Sequence, residues 1–142
     1  DDQLLQHRFF VVTEVFPIYS KKEAILALCE KESTEIEAIA SDVMRLVYSI
    51  PITDAHNSNI CFEKDTFIVV LIDTEPQGEM TLHKPLLSNL SEFKNEKGLE
   101  KYITSIYTTC GTLYMDDAIT TEIKDRIRIV ERTFDSAYRR RK

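Results

Sequence analysis

Tryptophan is absent, and the 142 residues include only three glycines, four prolines, three cysteines and three histidines. So little glycine leaves no material for phosphate cradles built from Gly-rich backbone. The chain has no G-x-G-x-x-G, no P-loop and no G-x-S-x-G. The scarcity of glycine and proline also argues against low-complexity and collagen-like sequence. No apolar run approaches the 18 residues a spanning helix needs, so no membrane span is expected. There is no C-x-x-C pair. Cys29, Cys61 and Cys110 each stand in apolar surroundings and read as buried thiols, which points to a reducing compartment, cytoplasm or nucleus.

What is present is enough for one core: 43% of residues are hydrophobic and 30% charged, with a net charge of −6. The charge is uneven. The first 97 residues carry 17 acids and 9 bases, whereas the last 45 carry 7 acids and 9 bases, four of them at the very end. An acidic chain is a poor general binder of duplex phosphates, so nucleic acid is not the expected partner. The chain opens at Asp1-Asp2 and ends Tyr138-Arg139-Arg140-Arg141-Lys142, the look of a domain excised from a longer protein.

Hydrophobic periodicity predicts the elements. His7 to Phe16, aromatic and β-branched from Phe9 on, is a strand ended by Pro17. Ser20-Lys21-Lys22-Glu23 has the form of a capping box and opens a helix to about Lys31. A second helix restarts at Ser33 or Thr34 and runs to Ser49. Its apolar arc is Ile36, Ile39, Ala40, Val43, Met44, Leu46, Val47 and Ile50. After a polar loop, Ile60 to Phe62 and Thr66 to Ile72 are two strands. Glu75-Pro76-Gln77-Gly78 is a type I turn pattern that folds a third, Glu79 to Lys84, back on them.

Two helices close the chain. One is expected from Gly98 to Cys110 with Gly111 as its left-handed cap, the other from an Asp116 N-cap onward with the apolar stripe Ile119, Ile123, Ile127, Val130, Phe134 and Ala137. The expected fold is a single α+β domain over residues 1–142, in the order β-αα-βββ-αα. An antiparallel meander would be covered by amphipathic helices.

Three constellations bear on chemistry. Asp73 with Glu92 and Lys94 mimics the D…E-x-K pattern of metal-dependent nucleases, but Glu92 stands in a Leu/Ser/Asn-rich stretch rather than on an adjoining strand. Asp54, His56 and Cys61 offer a carboxylate, a base and a thiol, yet Cys61 sits between Ile60 and Phe62, where a buried thiol is the simpler reading. His7, His56 and His83 lack any ligand-like spacing. No catalytic residue, metal or cofactor is therefore assigned, and the chain reads as non-catalytic.

The positive signals concern surfaces. Ile129 falls about 130° from the centre of the last helix's apolar stripe. Arg126 and Arg132 flank it, so it is a candidate contact for a protein partner or for self-association. The Ile60–Phe62 strand is the less protected sheet edge and a second candidate. Arg139, Arg140, Arg141 and Lys142 read as a basic helix end or a junction. The alternative is a nucleic-acid contact at those four residues.

Overall fold

A computed structural model describes residues 17–52, 54–72 and 94–142. Ser20 and Glu23 form the capping box as the pattern requires. The Glu23 N–H donates to Ser20 Oγ at 3.3 Å and the Ser20 N–H to Glu23 Oε1 at 3.1 Å. Helix α1 (Lys21–Cys29) follows and buries Ala24, Ile25, Leu28 and Cys29. Helix α2 (Ser33–Ser49) buries Ile36, Ala40, Val43, Met44 and Val47, the centre of the expected arc. Ile39, Leu46 and Ile50, at the arc's margins, are half-buried.

Strands β1 (Ile60–Phe62) and β2 (Val69–Leu71) pair antiparallel, with Cys61 opposite Val70. The second strand is shorter than the sequence pattern predicts. Phe67 takes a φ of 60°, a left-handed conformation unfavourable for a residue with a Cβ, and this interrupts the run before Val69. Its ring compensates by packing 4.7 Å from Phe62 and 5.4 Å from Tyr19, centroid to centroid. The Lys31 ammonium lies 4.8 Å above it. The strands expected at His7–Phe16 and Glu79–Lys84 lie outside the described residues.

Helix α3 (Glu96–Tyr114) begins earlier and ends later than expected. Gly111 does not cap it but lies within it, because Leu113, one turn on from Cys110, is also drawn into the core. Its true N-cap is Asn95, whose Oδ1 accepts from the Gly98 N–H at 3.0 Å. The buried Asn95 amide also donates to the carbonyls of Val47, Ile50 and Ile52, at 3.3, 3.0 and 2.6 Å. One side chain thus ties the start of α3 to the end of α2.

Helix α4 (Thr121–Arg141) is capped by Thr120, not Asp116. The Asp116 carboxylate instead accepts from the Ala118 N–H in the preceding turn, at 2.9 Å. Ile127, Val130, Phe134 and Ala137 are buried, and α4 packs on all three other helices. Tyr102 and Phe134, both fully buried, meet at 6.3 Å. The described residues form an α+β fold of four helices and one two-stranded sheet, with the core centred on α4.

Candidate binding groove

Helix α3 turns its apolar face inward and leaves Lys97, Lys101, Thr104, Ser105 and Thr108 on the other side. The loop between α2 and β1 brings His56 and Asn57 against this face, and the first turn of α1 brings Lys21. Together with Glu100 and Thr109 they line an open groove of about 520 Å³. Its floor is a hydrogen-bonded seam. The Asn57 N–H donates to Ser105 Oγ at 2.9 Å, and Asn57 Nδ2 donates to Thr109 Oγ1 at 2.8 Å. Both hydroxyls spend their own protons on α3 carbonyls, Ser105 on Tyr102 and Thr109 on Ser105. The loop is therefore fixed to the helix through backbone and short side chains.

At one end, Asp54 accepts from Lys101, from His56 Nε2 at 3.2 Å and from Asn59 Nδ2 at 3.1 Å. The Lys101 hydrogen bond is the main reason the Asp54 carboxyl is held below its ordinary range, with the His56 hydrogen bond adding to it. His56 has no nitrogen to spare. The Ser58 N–H donates to Nδ1 at 3.1 Å, so the ring proton sits on Nε2, facing Asp54. A His activating a nucleophile needs one nitrogen open toward it, and here both are engaged within the loop. Cys61 does not join the pair. Its thiol donates to the Ser58 carbonyl, and burial raises its pKa, away from the thiolate.

Lys21 and Lys97 reach the groove without an ion pair to any described residue, so the mouth carries positive charge on an acidic chain. Asp73, Glu92, His7 and His83 lie outside the described residues, and Lys94 is exposed. Among the described residues no cluster of three His, Cys, Asp or Glu side chains is placed to hold a metal ion. No helix there is long and apolar enough to cross a membrane.

The surfaces singled out in the sequence are placed differently. Ile60 and Phe62 are 1% and 3% exposed, and the outward Phe62 carbonyl already accepts from the Tyr19 N–H at 3.0 Å. The outer edge of β1 is therefore met at that point by the segment around Ile18, which bridges to Glu63. Ile129 is half-buried on α4 rather than free. Arg126 reaches the end of α1, donating to the carbonyls of Cys29 at 2.8 Å and Lys31 at 2.6 Å. Arg132 is exposed beside a surface hollow shared with Tyr107, Glu131 and Asp135. At the basic end, Arg139 pairs with Asp135 one turn back, Arg140 reaches Ser136, and Lys142 lies over the Tyr138 ring.

The roles of Arg126 and Arg132 can be separated. Arg126→Ala leaves two carbonyls at the end of α1 without their charged donor, and about 2 kcal/mol of stability is expected to go with it. Arg132→Ala is expected to change stability by less than about 0.5 kcal/mol. Urea unfolding of the two variants side by side measures the difference, and equal effects would contradict a capping role for Arg126.

The chain was compared with protein-family models, curated proteins and solved structures. None gives a significant match. Of the groove residues the sequence singles out only His56, and the others escape it for a physical reason. The polar face of α3, Lys97-x-x-x-Lys101-x-x-Thr104-Ser105-x-x-Thr108-Thr109, looks like an ordinary solvated face. Only the approach of Lys21 and Asn57, distant in sequence, makes it concave.

Proposed function

We propose that this chain is a non-catalytic protein-interaction domain whose groove along α3 takes an acidic segment of a partner protein. The observation that carries this reading is the groove itself. Lys21, Lys97 and Lys101 rim a floor of fixed hydroxyls and amides on a protein whose overall charge is −6. An extended acidic segment complements the lysines at the rim, and the exposed Thr104 hydroxyl offers it a hydrogen bond. The Thr108 hydroxyl, which already donates to the Thr104 carbonyl at 3.0 Å, can accept one from the segment's backbone. Glu100, on the same rim, disfavours a uniformly acidic ligand and favours acids spaced to meet the lysines. The engaged nitrogens of His56 support a binding role over hydrolytic chemistry, and three buried free thiols are in keeping with cytoplasm or nucleus.

Titration of the isotope-labelled domain with a ten-residue Glu-rich peptide tests the reading by NMR. Saturable shifts are expected at His56, Asn57 and along Lys97 to Thr109, weakening as salt rises to about 0.3 M. The double variant Lys21→Glu, Lys97→Glu should bind at least about tenfold more weakly while staying folded, since rim charges act without supporting the core. Shifts confined to Arg139–Lys142, or binding indifferent to the charge reversals, would overturn the proposal.

A further inference from the structure

Behind the groove floor lies a second, narrow space of about 10 Å³, between α1, β1 and α3. It is lined on its inner side by Ile25, Leu28, Asn57, Cys61, Tyr102 and Ile106 and reaches Ser20 and Lys21 on the outer side. Most of its wall is apolar. Two of the residues that line it, Asn57 and Tyr102, each hold a buried polar atom with no hydrogen-bond partner among the described residues, Asn57 Oδ1 and Tyr102 OH. Both are deeply buried, Tyr102 at 0% and Asn57 at 8% exposure. An orphaned polar group in such a place costs about 1–3 kcal/mol, so two together would be an expensive coincidence.

The orientation of the Asn57 amide follows from its neighbours. Its nitrogen faces two acceptors, the Ser105 carbonyl at 3.4 Å and the Thr109 hydroxyl oxygen at 2.8 Å. Turning the amide over would set carbonyl against carbonyl at Ser105, so Oδ1 belongs on the cavity side. Oδ1 can only accept a hydrogen bond. The Tyr102 hydroxyl, whose ionisation burial strongly opposes, is a donor. Cys61 adds only a weak acceptor, because its thiol proton is given to Ser58.

We propose that this cavity is a binding site for one water molecule, which donates to Asn57 Oδ1 and accepts from Tyr102 OH. The volume suits a single water and excludes anything larger; the chemistry requires a ligand that donates and accepts at once. The water joins the loop that forms the groove floor to the core side of α3, so it braces the groove from behind. This inference does not rest on what the groove binds.

Tyr102→Phe removes one oxygen and nothing else, and the sign of its effect decides between a bridged and an orphaned hydroxyl. A bridged hydroxyl predicts a melting temperature lower by about 3 °C, because the water loses its donor. An unchanged or higher melting temperature, the result of deleting an orphan, would overturn the proposal. A crystal structure of the unaltered chain gives a second readout. Density for a water about 2.6–3.2 Å from both oxygens is expected. An empty cavity, or a Tyr102 hydroxyl turned onto a protein acceptor, would equally overturn it.

Discussion

Asn95→Asp is expected to destabilise the domain by about 3–5 kcal/mol, although the two side chains have nearly the same shape. The exchange keeps the N-cap oxygen that accepts from the Gly98 N–H, and Asp is as good a cap as Asn. What it removes is the donor. Three carbonyls of Val47, Ile50 and Ile52 lose the amide nitrogen that now serves them and face a carboxylate instead, Ile50 alone keeping a second donor, the Ile52 N–H at 2.9 Å. Asn95 is only 2% exposed, so water cannot easily substitute.

The pH dependence separates this mechanism from simple loss of packing. Burial beside carbonyls raises the introduced carboxyl's folded-state pKa above its unfolded value, so the folded form prefers it protonated. The deficit should therefore shrink as pH falls through that raised value toward the ordinary one, and widen at neutral pH. Urea unfolding at about pH 5 and pH 7.5 makes the comparison. A loss below about 1 kcal/mol at neutral pH would show that the carbonyls find other donors. Gly98 belongs to the same clamp, since a Cβ there would fall inside the Asn95 amide.

Val43→Asp should abolish cooperative folding. Val43 is fully buried on the face of α2 that turns to the core, where α2 also meets α4. An unpaired carboxylate there costs several kcal/mol in desolvation, added to the lost packing of the valine. That approaches the whole stability of a domain this size, about 5–15 kcal/mol. Circular dichroism should show no sigmoidal melt, and a cooperative transition within a few degrees of the parent would refute the placement. The neighbouring Asp42→Ala supplies the control. Asp42 is exposed and, among the described residues, pairs only with Arg45, at 3.0 Å, so its loss should be felt by less than about 0.5 kcal/mol. One step along the helix separates the two outcomes.

That contrast marks how far local pattern reaches. The capping box at Ser20 and the inner stripe of α2 were legible, and so was the last helix's stripe from Ile127 through Val130 and Phe134 to Ala137, because each depends on residues three or four apart. Of the two residues expected to extend that stripe, Ile119 is half-buried and Ile123 exposed. The boundaries of α3 and α4 were less so. Gly111 has the chemistry of a helix cap and Asp116 that of an N-cap, but Leu113 carries the core contact a turn further. The helix follows the contact.

Of the groove only His56 and its partner Asp54 were legible, and the long-range polar contacts elsewhere were not. Arg126 looked like a surface residue beside Ile129, and its task is to hold carbonyls 95 and 97 positions away. Asn57 and Asn95 looked like loop residues, and each secures a partner element 43 to 52 positions distant. Phe67 breaks a strand that its sequence favours, because two aromatic rings and a lysine are there to hold it. Periodicity and capping are settled between near neighbours, so the residues alone determine the helices and the faces they bury. A buried polar group is settled by whichever distant atom satisfies it, and that choice exists only once the helices have packed.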